Sequence, residues 1–154
     1  MFETLLYALL WFCALGCALL GGLYFAFSAF VMKALQTLGP AGVTTMNAIN
    51  SVILRSWFMP FFLGTTLGST VLIAAGFLSP ADPRRLFMIG GGVLYVAGMF
   101  GVTMFFNVPL NNSLVSAGAG NWPRYISQWT RWNHVRTFAS MGAAASFIAA
   151  IARA

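Results

Sequence analysis

The tightest polar grouping in the chain runs from Asn107 through Asn111 and Asn112 to Trp129, Trp132, Asn133, His134 and Arg136. Asn107 and Asn111 stand four apart and share a face if the helix continues past Pro109. Pro109 lacks a backbone donor and would clash with the Phe105 carbonyl, so the spacing predicts a kink or an end there. Both Asn side chains are expected to face inward. Trp129, Trp132, Asn133 and Arg136 follow helical spacing, with His134 turned about 100° away. Acidic residues are almost absent, with Glu3 and Asp82 making up both of them. A desolvated Arg136 must therefore find amides, carbonyls, water or an anionic ligand. Two readings stand side by side: a structural lock of Arg and Asn at the helix ends, and an anion-binding ligand site. In either case Asn107, Asn111, Asn133, His134 and Arg136 are expected to converge at one membrane face.

Stripes of polar side chains lead toward that cluster. Tyr24, Ser28 and Met32 recur along one helix face, and Thr65, Thr66, Ser69 and Thr70 mark a second. Tyr95, Met99, Thr103 and Asn107 recur every four residues along a third. They read either as interhelical hydrogen bonds or as the wall of a pocket for a flat, partly polar molecule. Cys13 and Cys17 lie on adjacent turns of one helix, where a disulfide seldom fits. They are read as small buried apolar groups. The Gly64/Gly68 and Gly22/Ala26 pairs allow close backbone approach between helices. These Gly-rich faces are also candidates for a homo-oligomer contact. Gly90-Gly91-Gly92 lies inside an apolar run without a following Lys-Ser or Lys-Thr, so it is no phosphate loop.

The elements that position these residues must live in lipid. Charged residues are 6% of the chain and hydrophobic ones 60%, whereas a soluble domain carries roughly a quarter charged residues. Crossing a bilayer as a helix takes about 20 apolar residues. Four stretches qualify: Leu5 to Ala34, Trp57 to Leu78, Leu86 to Val108 and Val135 to Ala152. Backbone in lipid must bond to itself, which favours helices, and no strand-like alternation is present. The fold class is therefore all-α, an integral membrane four-helix bundle in one domain, 1–154, with both termini on one side. The connections Gln36 to Ser56 and Asn107 to Trp132 are long and lie on the other face. Val43, Met46, Ile49, Ile53 and Leu54 flank the first, and Trp122, Tyr125, Ile126 and Trp129 the second. Both read as short interfacial helices, as anchors or as a lid. The first apolar run is too long for a cleaved signal segment. The net charge of +6 is scattered without a basic run, so lipid headgroups and not nucleic acid are the expected partners. If Lys33, Arg55, Arg124 and Arg131 are partly functional, Arg84 and Arg85 set the orientation, with cytoplasmic termini.

Several of these segments resemble one family in order along the chain. They are Gly22 to Leu35, Met46 to Asn50, Phe58 to Gly64, Asn107 to Asn112 and, most specifically, Trp129-Thr-Arg-Trp-Asn-His-Val-Arg136. The family is that of anthrone-oxygenase-like small membrane proteins. The resemblance covers nearly the whole chain and implies a bacterial plasma-membrane setting. It also implies oxidation of an anthrone- or hydroquinone-like aromatic with O2, by proton abstraction followed by oxidation in a pocket at one membrane face. On that basis His134 is the candidate base, and Asn133 and Arg136 stabilise the anion. Asn107, Asn111, Trp129, Trp132, Tyr24 and Tyr95 are then the substrate-binding candidates. No flavin or nicotinamide fingerprint is present, so a cofactor-free reaction is expected, while a haem on His134 or a metal stays open. The alternatives are a non-enzymatic lipid or quinone binder and an accessory membrane subunit.

Overall fold

A computed structural model describes residues 2–153, and those residues form helices and short turns without a strand. The first span joins α1 (Phe2–Ala26), a π-helical turn (Phe27–Val31) and α2 (Met32–Thr37). Gly39 ends it at φ +56°, a left-handed conformation open to a residue without Cβ. The amphipathic α3 (Pro40–Ile53) follows, then α4 (Phe58–Leu78) as the second span. The third span begins as α5 (Arg85–Val93) and widens into two π-helical stretches, Leu94–Gly101 and Thr103–Asn107. It continues as α6 (Val108–Ala117), a 3-10 turn (Gly118–Asn121) and α7 (Trp122–Ile151), the fourth span. Among the described residues, three helical runs are long and apolar enough to cross a membrane: Glu3–Thr37, Phe58–Leu78 and Arg85–Ile151. The last folds back on itself, because α5 and α7 pack together. The chain is an all-α membrane bundle of four helices.

Contacts place both ends of the chain at one end of the bundle. Arg84, in the turn between α4 and α5, bonds Glu3 at 2.9 Å and Asp82 at 2.7 Å. The Arg153 guanidinium lies 4.2 Å from the Phe87 ring centroid in the same region. Both acidic residues of the chain thus bind one arginine at the end remote from Arg136. Arg84 holds the Asp82 carboxyl below its usual range by side-chain and backbone hydrogen bonds, and those carboxylates in turn raise the Arg84 pKa.

Close packing of α1, α4, α5 and α7 follows from small residues at the crossings. A Cβ on Gly92 would stand 2.8 Å from the Ser69 carbonyl oxygen, and one on Gly68 would stand 2.6 Å from Cys13 Sγ. The Gly64 and Gly68 face is therefore occupied inside the chain, against Phe12, Leu9 and Cys13. Gly22 has no such neighbour. Cys13 and Cys17 are free and buried in the core with Leu10, Leu72 and Phe147.

At two boundaries the structure narrows or overturns the sequence expectation. Of the kink or end expected at Pro109, the end does not occur, and helical structure continues to Ala117. The chain passes there from a π-turn, where the Val108 N–H bonds the Thr103 carbonyl, to the first turn of α6. A first turn is the place where a missing proline N–H costs least. The segment from Trp122 to Trp132 is also not a separate interfacial helix. It is the first third of the continuous, 30-residue α7, since no Gly or Pro stands between Arg124 and Arg136 to break it. The other long connection does form its own helix, α3, as its hydrophobic flank predicts.

Candidate functional site

The site begins with the Asn133 side chain, which is wholly buried. Its Nδ2 donates to the Tyr24 carbonyl at 2.6 Å and to Ser28 Oγ at 2.6 Å. Both amide hydrogens are used, which leaves Oδ1 as the acceptor, and Arg136 Nη2 donates to it at 2.6 Å. Tyr24 and Ser28 flank the start of the π-turn at Phe27–Val31. Such a turn displaces the backbone register locally and recurs at functional sites. A second π-turn, Thr103–Asn107, sets Thr103 and Asn107 toward α7. Arg136 Nη1 donates to Thr103 Oγ1 at 3.4 Å, and Asn107 Nδ2 donates to the Trp129 carbonyl at 3.3 Å.

Arg136 is 5% exposed and has no carboxylate partner. Two aromatic faces hold it instead. Its Cζ lies 4.3 Å from the Tyr24 ring centroid and 5.0 Å from that of Trp129. A desolvated cation over an aromatic face gains about 0.5–2 kcal/mol per ring. That offsets only part of the several kcal/mol an unpaired buried ion costs.

Beside this arginine lies a cavity of about 380 Å³, within the size range of small-molecule sites. The first span contributes Tyr24 and Phe27, α3 contributes Met46, Ile49 and Asn50, and α4 contributes Phe58 and Phe62. The third span and α6 add Thr103, Asn111 and Asn112, and α7 adds Trp129 and Arg136. The walls are mostly apolar and aromatic, with a few polar groups on the α6 and α7 side. Asn111 Oδ1 accepts a bond of 2.8 Å from the Tyr125 hydroxyl. Three lining residues keep a buried nitrogen without a protein partner: Arg136 Nε, Trp129 Nε1 and Asn50 Nδ2. All three are donors. The unmet bonding capacity of this cavity is therefore for an acceptor, and the arginine favours an anionic one.

Of the residues singled out from the sequence, Tyr24, Asn111, Trp129 and Arg136 line the cavity. Asn107 and Asn133 stand behind them and hold α7 and Arg136 in place. Three others lie elsewhere, and the expected convergence of five residues does not extend to His134. That side chain is exposed and lines an outer groove with Lys33 and Arg131. The reason is helical rotation, because burying Asn133 turns its neighbour outward by about 100°. Trp132 is stacked on Phe106, with centroids 3.7 Å apart, and is not among the lining residues. Tyr95 is fully buried in the core below the cavity, beside Met99 and Cys17. The stripe of Tyr95, Met99, Thr103 and Asn107 is real, but it reaches the cavity only at Thr103.

Sequence reasoning placed Asn112 in the polar grouping but missed the contributions of Asn50, Phe58 and Phe62. The amphipathic flank of α3 was the available signal, since Met46, Ile49 and Ile53 mark the side that covers the cavity. Among the described residues, no three His, Cys, Asp or Glu side chains stand close enough to hold a metal ion.

Comparison with known families decides the kinship. The model of the family described as Anthrone oxygenase matches residues 52–146, which is more than half of the chain. The chain belongs to the anthrone oxygenase family. The matched span holds α4, the third span, α6 and most of α7. It thus includes the residues that carry the cavity's polar side, Thr103, Asn111, Trp129 and Arg136. The first span and most of α3 lie outside the match. No curated protein and no solved structure matches the chain.

Proposed function

We propose that this chain is a membrane oxygenase that binds an anthrone- or hydroquinone-like aromatic in the 380 Å³ cavity and oxidises it with O2. The carrying observation is the set of unpartnered donors, with a guanidinium among them, in an otherwise apolar and aromatic pocket. A flat ring with a phenolic or carbonyl oxygen matches both halves of that environment. An opposite charge within about 4–6 Å lowers an acid's pKa by about 1–3 units. Arg136 therefore favours the enolate of an anthrone, or the phenolate of its tautomer. Asn133 and Thr103 position the guanidinium, Trp129 and Phe27 face the ring, and Asn111 adds a polar contact.

The reaction balances without a reductant. The proton leaves to water at the cavity mouth, and the electron-rich carbon forms a bond to O2. The resulting peroxide takes up a proton. Loss of the remaining C–H hydrogen as the O–O bond breaks yields the ketone and water. With an anthrone one oxygen atom enters the product and the other leaves as water, whereas a hydroquinone passes two electrons and two protons to O2 and leaves as the quinone with hydrogen peroxide, so the stoichiometry requires no cofactor in either case. We place the protein in a bacterial plasma membrane with cytoplasmic termini.

A binding-only reading has one observation in its favour: no His, Asp or Glu lines the cavity, so no resident general base faces a ligand there. Oxygen uptake by protein in nanodiscs, with an anthrone or a naphthohydroquinone as substrate, separates the two. Turnover that falls roughly 100-fold in Arg136→Gln, the scale of losing one donor to a developing oxyanion, supports the oxygenase. Saturable binding of the quinone without oxygen uptake supports the binder.

A further inference from the structure

The cavity has a neighbour on the outer side of the first span and α3. An open groove of about 500 Å³ runs between the first span, α3 and the start of α4. Leu23, Phe27, Ile49, Ile53 and Phe58 line both the groove and the cavity. These five apolar side chains border both spaces. The groove's own lining adds Ala48 and Val52 and two hydroxyls, of Thr45 and Ser56. Both hydroxyls bond to their own helix turns. Thr45 donates to the Ala41 carbonyl at 2.8 Å, and Ser56 donates to the Ile53 carbonyl at 2.8 Å. Ser56 Oγ also accepts from the Phe58 N–H. The groove therefore presents hydrocarbon, while two of the three unpartnered donors of the cavity, Trp129 Nε1 and Arg136 Nε, are on α7.

The geometry points to a ligand with two parts: an aromatic, oxygen-bearing head beside Arg136, and a linear apolar tail that passes between Ile49, Ile53 and Phe58 into the groove. This inference rests on the cavity reading above and narrows its substrate class to a tailed aromatic, such as an isoprenoid hydroquinone. The physical reason concerns space rather than affinity. Lipid tails are as apolar as Leu or Ile side chains, so a tail gains little by moving from bilayer to protein. A cavity of about 380 Å³ has no room for a long tail beside its head. A groove that leads to the bilayer lets the head be seated while the tail remains in hydrocarbon.

The test compares two naphthoquinones with the same ring, one bearing a methyl group and one an isoprenoid tail. Binding is read by quenching of tryptophan fluorescence in nanodiscs of fixed lipid composition, so partitioning cancels between variants. Ala48 and Val52 lie on the exposed side of α3 and line only the groove. Ala48→Phe and Val52→Phe fill it without touching the cavity. The expected result is that each variant weakens the tailed quinone by roughly tenfold or more and leaves the methyl compound unchanged. If both ligands bind the wild type and both variants bind the tailed one at full strength, the tail route is wrong and the cavity reading stands. If neither ligand binds the wild type, the cavity reading itself fails, and this inference with it.

Discussion

Asn133 and His134 are consecutive, yet they face opposite environments. Asn133 is wholly buried and bonds Arg136 at 2.6 Å, while His134 is exposed on an outer groove. A helix turns about 100° per residue, so the partner that fixes one side chain dismisses the other. The three buried hydrogen bonds of Asn133 decide which of them faces the site.

His134→Ala is therefore expected to leave catalysis intact. Oxygen uptake with an anthrone substrate should stay within about twofold of wild type, the range of a surface change away from the chemistry. A loss of more than tenfold would show that the imidazole reaches the substrate after all.

Arg136 and Asn133 should separate binding from folding. Arg136→Gln keeps a donor for Asn133 Oδ1 and removes a buried charge that has no counterion. Thermal unfolding in detergent should shift little, because removing an uncompensated ion offsets the lost contacts. Quinone affinity and turnover should both fall. Asn133→Leu strips partners from the Tyr24 carbonyl, Ser28 and Arg136 together, and is expected to destabilise by about 1–3 kcal/mol. An Asn133→Leu protein that melts like wild type would refute the network.

The turn between α4 and α5 should confer acid sensitivity. Hydrogen bonds from Arg84 lower the folded-state pKa of Asp82 below the unfolded value of about 3.9. The unfolded state then binds the proton more readily, so this contribution is present above the unfolded pKa and disappears as pH falls through the folded one. Melting curves taken across that acidic range should show a steeper loss for wild type than for Asp82→Asn. Equal slopes would mean that the pair contributes nothing measurable.

Gly92 is a packing position. A methyl group there meets the Ser69 carbonyl oxygen at 2.8 Å, and backbone cannot yield as a flexible side chain does. Gly92→Ala is expected to destabilise by about 1–3 kcal/mol, visible as a lower melting temperature in detergent. Gly90→Ala, which meets nothing within 4 Å, is the matched control. If the two variants melt alike, close packing at Gly92 is not limiting.

The amino-acid sequence by itself determined the lipid setting, the four apolar spans and the partnerless state of Arg136. Composition alone leaves two carboxylates for the whole chain, and hydrocarbon forces each backbone segment into a helix. The covering helix α3 was legible in its hydrophobic flank, and Trp129 and Asn111 in their spacing. What only the tertiary structure decided is which side of each helix meets the cavity. Periodicity places Asn133, His134 and Trp132 within one turn of each other, but their rotation is fixed by contacts with Tyr24, Ser28 and Phe106 from distant segments. The π-turns at Phe27–Val31 and Thr103–Asn107 shift register without a Gly or Pro inside either, and Pro109 follows the second without ending the helix. Depth was equally out of reach, since Tyr95 and Thr103 share a stripe and only Thr103 lies at the level of Arg136. Local spacing encodes faces of a helix, and which face becomes a site depends on the neighbours that the fold brings to it.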